Sequence, residues 1–313
     1  MSNTAPFQIS PQLTAIAIAY RNPAYTLIAD EVIPDMPAPV ATKSFQYREF
    51  DMAEGYTVPD TKVGRLGAVG VVNTKSELKS ETVEDYGIGE PVPLDDIEQA
   101  KTQGLDPLGQ AAAYCQNIIL LDKERRAAGI AFDPANYAPS NKLALSGAEK
   151  FSDPDSDPIR LLTEIMDGMI MRPNVAVMGA AVWSKFKLHP KVLKAIYPNG
   201  NGEGIATRQQ VAELLEVKKL LVGESRINEA RKGQAGQINR TWGNHIQLQF
   251  QDPTALGSAQ GVTWSGRARF GTKVAGTQFV NLGLRGAQLV KVGESVKEFI
   301  LAKDCAFLLQ DVI

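Results

Sequence analysis

A chain of 313 residues, 44% hydrophobic and 22% charged, has the composition of a globular protein with material for two domains or one large one. Its 33 Lys and Arg against 35 Asp and Glu leave a formal net charge of −2, which excludes the strongly basic footprint of a dedicated nucleic-acid binder. No apolar run is long enough to span a bilayer, and the start "MSNTAPFQISPQLT" lacks the basic opening of a signal peptide, so a soluble, cytoplasmically made protein is expected.

Residues 1–44 hold six prolines between Pro6 and Pro39, and only Leu13–Tyr20 reads as a short helix or strand. Proline removes a backbone donor and biases its predecessor to extended conformations, so this stretch reads as an arm that needs a surface to lie on. Residues 45–90 change character. "FQYREFDM" and "KSELKSETVEDYGI" are charged, strand-like runs around the Gly-rich "EGYTVPDTKVGRLGAVGVVNT". They predict a long hairpin with little core of its own, and isolated hairpins are marginal in water. Leu94–Ala131 is helical in outline, with an irregularity at Gly104–Gly109 and a restart at Asp106-Pro107. Ala113, Asn117, Leu120, Leu121 and Glu124 follow helical spacing.

From Phe151 the chain reads as an α/β unit. Asp157 and Pro158 form an N-cap and first helical residue for a helix whose apolar face is Ile159, Leu162, Ile165, Met166 and Met169. "NVAVMG" is a buried strand, "AAVWSKFKLHPKVLKAIYP" is helical, Thr207 caps "RQQVAELLEV", and "KKLLVGE" is a second strand. The last third reads as strands joined by Gly-rich turns. The class is α+β, without internal repeats.

Motifs for chemistry are scarce. The two histidines, His189 and His245, stand apart, with no G-x-S-x-G elbow and no H-E-x-x-H. Val182, Phe186 and His189 lie on one helical row before Pro190, which makes His189 a packed or capping residue. "DPDSDP" at 153–158 lacks the glycine and final glutamate of a calcium loop and reads as a capping turn. "GRLGAVG" and "NGNGEG" match no phosphate-loop pattern and read as mobile tips. Arg267 and Arg269 read as solvated or salt-bridged side chains. Cys115 and Cys305 sit in apolar runs, as reduced, buried cysteines do; a bridge between them stays open, although so low a count points to a reducing compartment. No catalytic, cofactor-binding or metal-binding residue is assigned, and no cofactor is expected.

The succession "FSDPDSDPIRLL", "NVAVMGAAVWSKFKLHPKVLKAI", "IATRQQVAELLEVKKLLVGESRINEA", "TWGNHIQL" and "ESVKEFILAKDCAFLLQDVI" resembles the major capsid proteins of tailed bacteriophages, whose fold is shared with encapsulins and the herpesvirus capsid floor. The resemblance covers residues 151 to 313, and the arm, hairpin and helix before them fit the same plan. It implies an N-terminal arm (1–44), an extended loop hairpin lying across a neighbour (45–90), a spine helix and peripheral domain (91–150), an axial domain around the symmetry axes (151–265), and C-terminal strands returning to the peripheral domain (266–313). It implies a non-enzymatic protein that self-assembles as hexamers and pentamers into an icosahedral virion shell. That shell is built in the host bacterial cytoplasm with portal and scaffolding partners, around double-stranded DNA contacted nonspecifically and with no membrane. In that family the Trp-to-His-Pro segment is structural. No fused scaffolding segment is expected. Lys62 is a candidate donor for the Lys–Asn welds some relatives make, but no motif names its partner, and cross-linking is not expected. An encapsulin-type shell holding protein cargo and a cytoplasmic α+β enzyme are the alternatives.

Overall fold

The computed structural model describes residues 7–24, 26–50, 56–65, 67–71, 76–199, 204–230, 233–252, 254–257 and 262–313. In chain order its strands are β1 (Gln8–Ile9), β2 (Ser44–Phe50), β3 (Ser76–Thr82), β4 (Glu84–Pro93), β5 (Lys142–Ala144), β6 (Val175–Gly179) and β7 (Lys219–Gly223). They continue with β8 (Arg226–Asn228), β9 (Ile238–Arg240), β10 (Ile246–Gln249), β11 (Ser265–Arg269), β12 (Val274–Val280), β13 (Ala287–Ile300) and β14 (Ala306–Gln310).

The first sheet is organised by β13. β12 and then β11 pair antiparallel along one of its edges, β4 pairs along the other, and β1 extends β12. Alternation along β13 buries Val290, Val292 and Val296 on one face. Against that face lies the long helix Pro107–Ala131, whose start is fixed by Pro107 at its first position and by the Asp106 carboxylate accepting from the Gly109 N–H at 2.9 Å. The preceding helix, Leu94–Gln103, stops at Gly104, which takes a left-handed conformation with φ 68°. The break expected at Gly104–Gly109 is therefore present. The residues noted for helical spacing do not together form the buried face of the long helix. Ala112, Cys115, Ile119, Lys123 and Ala127 point inward with Glu124, whereas Ala113, Asn117, Leu120 and Leu121 are only half-buried. Apolar side chains surround this helix almost evenly, so small residues that admit the sheet, not amphipathic contrast, choose the face.

The second sheet runs β5-β14-β10-β6-β7, with β6 and β7 parallel and β14 and β5 parallel. One face carries the helices Pro158–Gly168, Ala180–Phe186, Pro190–Ile196 and Arg208–Leu214, packing Leu162, Met166, Phe186 and Val192 on Met178, Val222, Ile246 and Leu248. The other face takes Ala127, Ala128 and Ala131 from the end of the long helix, so that helix spans both sheets. Asp157 caps its helix through the Arg160 N–H at 3.2 Å and Thr207 caps Arg208–Leu214, as the sequence predicts; Gln210 completes a capping box with Thr207.

Three assignments move. Residues 84–90, grouped with the hairpin by sequence, belong to the strand Glu84–Pro93, which pairs along ten positions of β13, so the ribbon ends at Thr82. The β5 segment, grouped with the long helix, and β14, expected to return with the C-terminal strands, both join the second sheet. Short strands carry no signal of which sheet they complete; the partner lies far away in sequence.

Candidate assembly surfaces

The N-terminal arm lies on its own subunit. Its helix Pro11–Ala19 buries Leu13 and Ala17 against the long helix and β12. Ile28, Ala29, Val32 and Ile33 enter the core beside Ala127, Ala128 and Ala131. Residues 34–40 then run beside β11, with Arg267 N–H donating to the Pro34 carbonyl at 2.9 Å and Val40 N–H to the Arg269 carbonyl at 2.7 Å.

Two buried polar groups lock this arrangement. Arg267, fully buried, donates through one terminal nitrogen to Asp30 at 2.7 Å and Asp35 at 3.0 Å, and through Nε to Glu298 at 3.3 Å. Both Glu298 oxygens also accept from one terminal nitrogen of Arg126, at 2.7 and 2.8 Å, while that guanidinium stacks 3.7 Å above the Tyr86 ring. Lys123 reaches Asp30 at 2.5 Å. Partial burial pushes the Asp30 carboxyl up, but Lys123 and Arg267 together hold it down at about 2. The second lock is Glu124. One of its oxygens accepts the Ala29 N–H at 2.6 Å; the other accepts the Trp242 indole N–H at 2.6 Å and the Ser225 hydroxyl at 3.3 Å. Burial pushes its pKa up, against the pull of those hydrogen bonds. The arm, the long helix and the second sheet thus meet at one carboxylate.

The ribbon of β2 and β3 leaves this body. Its foot is held by Phe45 and Tyr47, whose rings lie 5.4 and 4.6 Å from that of Phe299, and by Lys43–Asp85 and Lys297–Glu84 pairs. Past the foot the described residues 56–65 and 67–71 are all exposed. Val58 is 84% exposed and Val71 95%, with Val63 and Val69 also uncovered. The segment touches the body where the Tyr56 hydroxyl donates to Met171 Sδ at 3.1 Å. Gly55, named in the flexible tip, lies outside the described residues, as do residues 200–203 of "NGNGEG". Lys62 is exposed, its backbone N–H bonded to Asp60 at 2.9 Å. A second apolar prominence is the β12–β13 turn, where Phe279, Leu282 and Leu284 are uncovered, Leu284 by 99%.

The residues weighed for chemistry make the following contacts. His189 is buried as the N-cap of helix Pro190–Ile196. Its Nδ1 accepts the Lys191 N–H at 3.3 Å, and Nε2 faces the Asp153 carbonyl at 3.0 Å and the Ser156 hydroxyl at 3.2 Å. A carbonyl only accepts, so the proton sits on Nε2 and both ring nitrogens are occupied. His245 Nδ1 accepts the Asp311 N–H at 3.0 Å, and burial lowers its pKa. In the "DPDSDP" turn, Asp153 accepts the Asp155 N–H at 2.9 Å, closing the turn that Asp157 ends as a cap. Cys115 and Cys305 are free and buried. Among the described residues no cluster of His, Cys, Asp and Glu has the form of a metal site, and no helix is long and apolar enough to cross a membrane.

A family model described as "Phage major capsid protein E" matches residues 134–245. Across the full length, the major capsid protein of Pseudomonas phage JBD67 is 41% identical, over 100% of this chain and 99% of its own. The chain belongs to the bacteriophage major capsid proteins. A more distant capsid protein, from Burkholderia phage BcepMu, is 24% identical over 97% of this chain and 96% of its own. Among solved structures, a phage-related protein of Bordetella bronchiseptica superposes with a TM-score of 0.75 at 21% identity, over 98% of this chain and 99% of that one. The capsid of cyanophage P-SCSP1u follows the same fold, with a TM-score of 0.57 at 12% identity over 93% and 90%.

The α+β capsid fold expected from the sequence is therefore the fold found, and the product is a virion shell component. What sequence reading missed in this capsid protein is the lock. Arg267 was weighed as a solvated or paired side chain, and its three carboxylates lie 31 to 237 positions away. No local spacing announces such a cluster.

Proposed function

We propose that copies of this capsid protein close into an icosahedral shell of hexamers and pentamers around double-stranded DNA, each subunit clamped to a neighbour by its ribbon extension. In this layout the arm and ribbon precede a peripheral unit built on the long helix and the first sheet. The helices of residues 151–265 and the second sheet, which β5 and β14 complete, form the axial unit at the symmetry axes. Assembly takes place in the host bacterial cytoplasm, with portal and scaffolding proteins as further partners. The subunit carries no catalytic role, and Lys62 makes no covalent link.

The observation that carries this reading is the uncovered apolar content of the extension. Val58, Val63, Val69 and Val71 face solvent in the single subunit. Burying a valine contributes about 1.5 kcal/mol, so four supply about 6 kcal/mol per extension before the cost of ordering it. A closed shell repeats the contact at every subunit, so each one suffices while modest.

Deleting residues 56–71 tests the clamp. The deletion should leave a folded subunit with a cooperative urea transition but no durable particles in negative-stain micrographs. Wild-type particles from the deletion variant would refute the clamp, and an unfolded subunit would put the segment in the core instead. Nuclease-protected DNA recovered from wild-type particles tests the enclosed genome separately.

A further inference from the structure

A groove of about 850 Å³ lies on the first sheet, where alternation turns Leu289, Lys291, Gly293 and Ser295 of β13 away from the long helix. Phe7, Ile9, Phe270 and Val274 add apolar walls, and Ile9 is 46% exposed. Gly87 and Gly293 are direct cross-strand partners in it, with Gly89 beside them on β4, so part of the floor is bare backbone. Glycine weakens a strand interior and marks a place where a ligand or another chain comes close. The charged side chains around the groove have partners within the subunit. Lys43 pairs with Asp85 at 2.5 Å and Glu294 with Lys273 at 3.7 Å, and Lys291 donates to Gln278 at 2.6 Å. What the groove offers a partner is apolar area.

The same sheet carries a shape of the opposite kind. The turn joining β12 to β13 exposes Phe279, Leu282 and Leu284, the last by 99%. Its conformation is set by glycine: Gly283 and Gly286 take φ 69° and 87°, and a Cβ on Gly286 would come within 2.6 Å of the Phe279 ring. The Gly286 carbonyl accepts the Leu94 N–H at 3.2 Å, and Arg285 pairs with Asp95 at 2.9 Å, so the rim of the tip is neutral as well. β12 and β13 stay paired up to Val280 and Ala287, so the tip stands beyond the strand ends and cannot fold back into its own groove.

We propose that the β12–β13 tip of one copy seats in the groove of the next, a proposal that rests on the reading of the chain as a shell subunit. Both faces are apolar with neutral rims, and the tip finds no cover in its own subunit. Along β13 the groove runs from Leu289 to Ser295, about 20 Å, which suits a compact tip. The extension 56–71, drawn out, would span about 50 Å and overrun it. A tip held in one shape loses little freedom on docking. A contact between two different patches of identical subunits is heterologous, and it repeats from copy to copy until a ring closes.

The test joins the two patches covalently within assembled particles. Full-length chains carrying Leu284→Cys and full-length chains carrying Ile9→Cys are co-assembled and oxidised with diamide. Cys115 and Cys305 are buried, so wild-type particles give the blank. The mixture should yield covalent dimers on a non-reducing gel, and neither variant alone should. Dimers from either variant alone would show that like patches meet, and would overturn the proposal. So would dimers from Val63→Cys with Ile9→Cys in place of the expected pair, which would give the groove to the extension. Intact particles without dimers from the mixture would overturn it too, and leave the shell reading standing. If no particles form, the shell reading falls, and the contact falls with it unless the mixture still gives the dimer in solution. Leu284→Asp tests the same contact without a new thiol. Its urea midpoint should match wild type, since the side chain is uncovered in the subunit, while particle yield should fall about tenfold or more, because a charge enters an apolar site. An undiminished yield would overturn the proposal.

Discussion

Replacing Glu124 with Ala should cost the subunit about 4 kcal/mol, and replacing it with Gln about half as much. The carboxylate is buried and serves three donors: the Ala29 N–H, the Trp242 indole N–H and the Ser225 hydroxyl. A buried donor left without a partner costs about 1–3 kcal/mol. Alanine orphans the Ala29 and Trp242 N–H groups, whereas the serine hydroxyl rotates to a new acceptor, so two donors at about 2 kcal/mol each set the total. Glutamine keeps one acceptor oxygen for one donor but turns an NH₂ group toward the other. Urea unfolding of the unassembled subunit, followed by tryptophan fluorescence, reads both values as shifts in midpoint at constant slope. The pH dependence adds a second signature. Burial raises the Glu124 pKa, so the native state holds this proton more tightly than the unfolded chain does. Stability from this group therefore declines as pH rises from the ordinary carboxylate range through the raised value, and the Gln variant lacks that decline. A Gln variant as stable as wild type, with the same pH profile, would refute the role of the carboxylate as the shared acceptor.

Arg267→Ala should destabilise the subunit by about 3 kcal/mol, because Glu298 and Asp35 lose a buried partner, and limited proteolysis should then cut within residues 28–40. An unchanged cleavage pattern would show that the arm is held without it. Acid should act on the same lock. Asp30 is held at about 2 in the folded protein, so its contribution is complete above pH about 4 and is lost as pH falls toward 2. Asp30→Asn should flatten that part of a urea-midpoint profile. His245, whose pKa is lowered by burial, adds a loss beginning as pH falls below about 6.5, which His245→Asn should remove. Burial raises the Cys115 thiol to about 11 and the Cys305 thiol to about 12, so a thiol reagent at mildly alkaline pH should titrate neither in the native subunit and both after denaturation.

Local chemistry was legible where it is written within a few residues. Asp106-Pro107, Asp157-Pro158 and the Thr207–Gln210 box each start a helix where the sequence places one, and His189 before Pro190 is the cap its position suggests. Legibility ended where the decisive partner is distant. The strand alternation of "VEDYGI" was visible, but not that β13, some two hundred residues on, would claim it from the hairpin. Helical spacing did not single out the buried face of the long helix, because its inward residues, Ala112, Cys115 and Ala127, differ little in hydropathy from their neighbours. The arm's need for a surface was correct, and the surface proved to be the subunit itself.

β13 holds the middle of one sheet, and β14 lies inside the other between β5 and β10. Both follow every other described strand in the chain. A nascent polypeptide therefore carries two sheets that are each missing an interior member until residues 287–310 have been made. Pairing so remote in sequence forms late and slowly. A product interrupted before that point lacks the strand to which β4, β11 and β12 bond, and it has no body on which to mount its extension. A fragment that ends before residue 287 should therefore fail to fold and should be excluded from the lattice, which co-expression of such a fragment with the full chain would check.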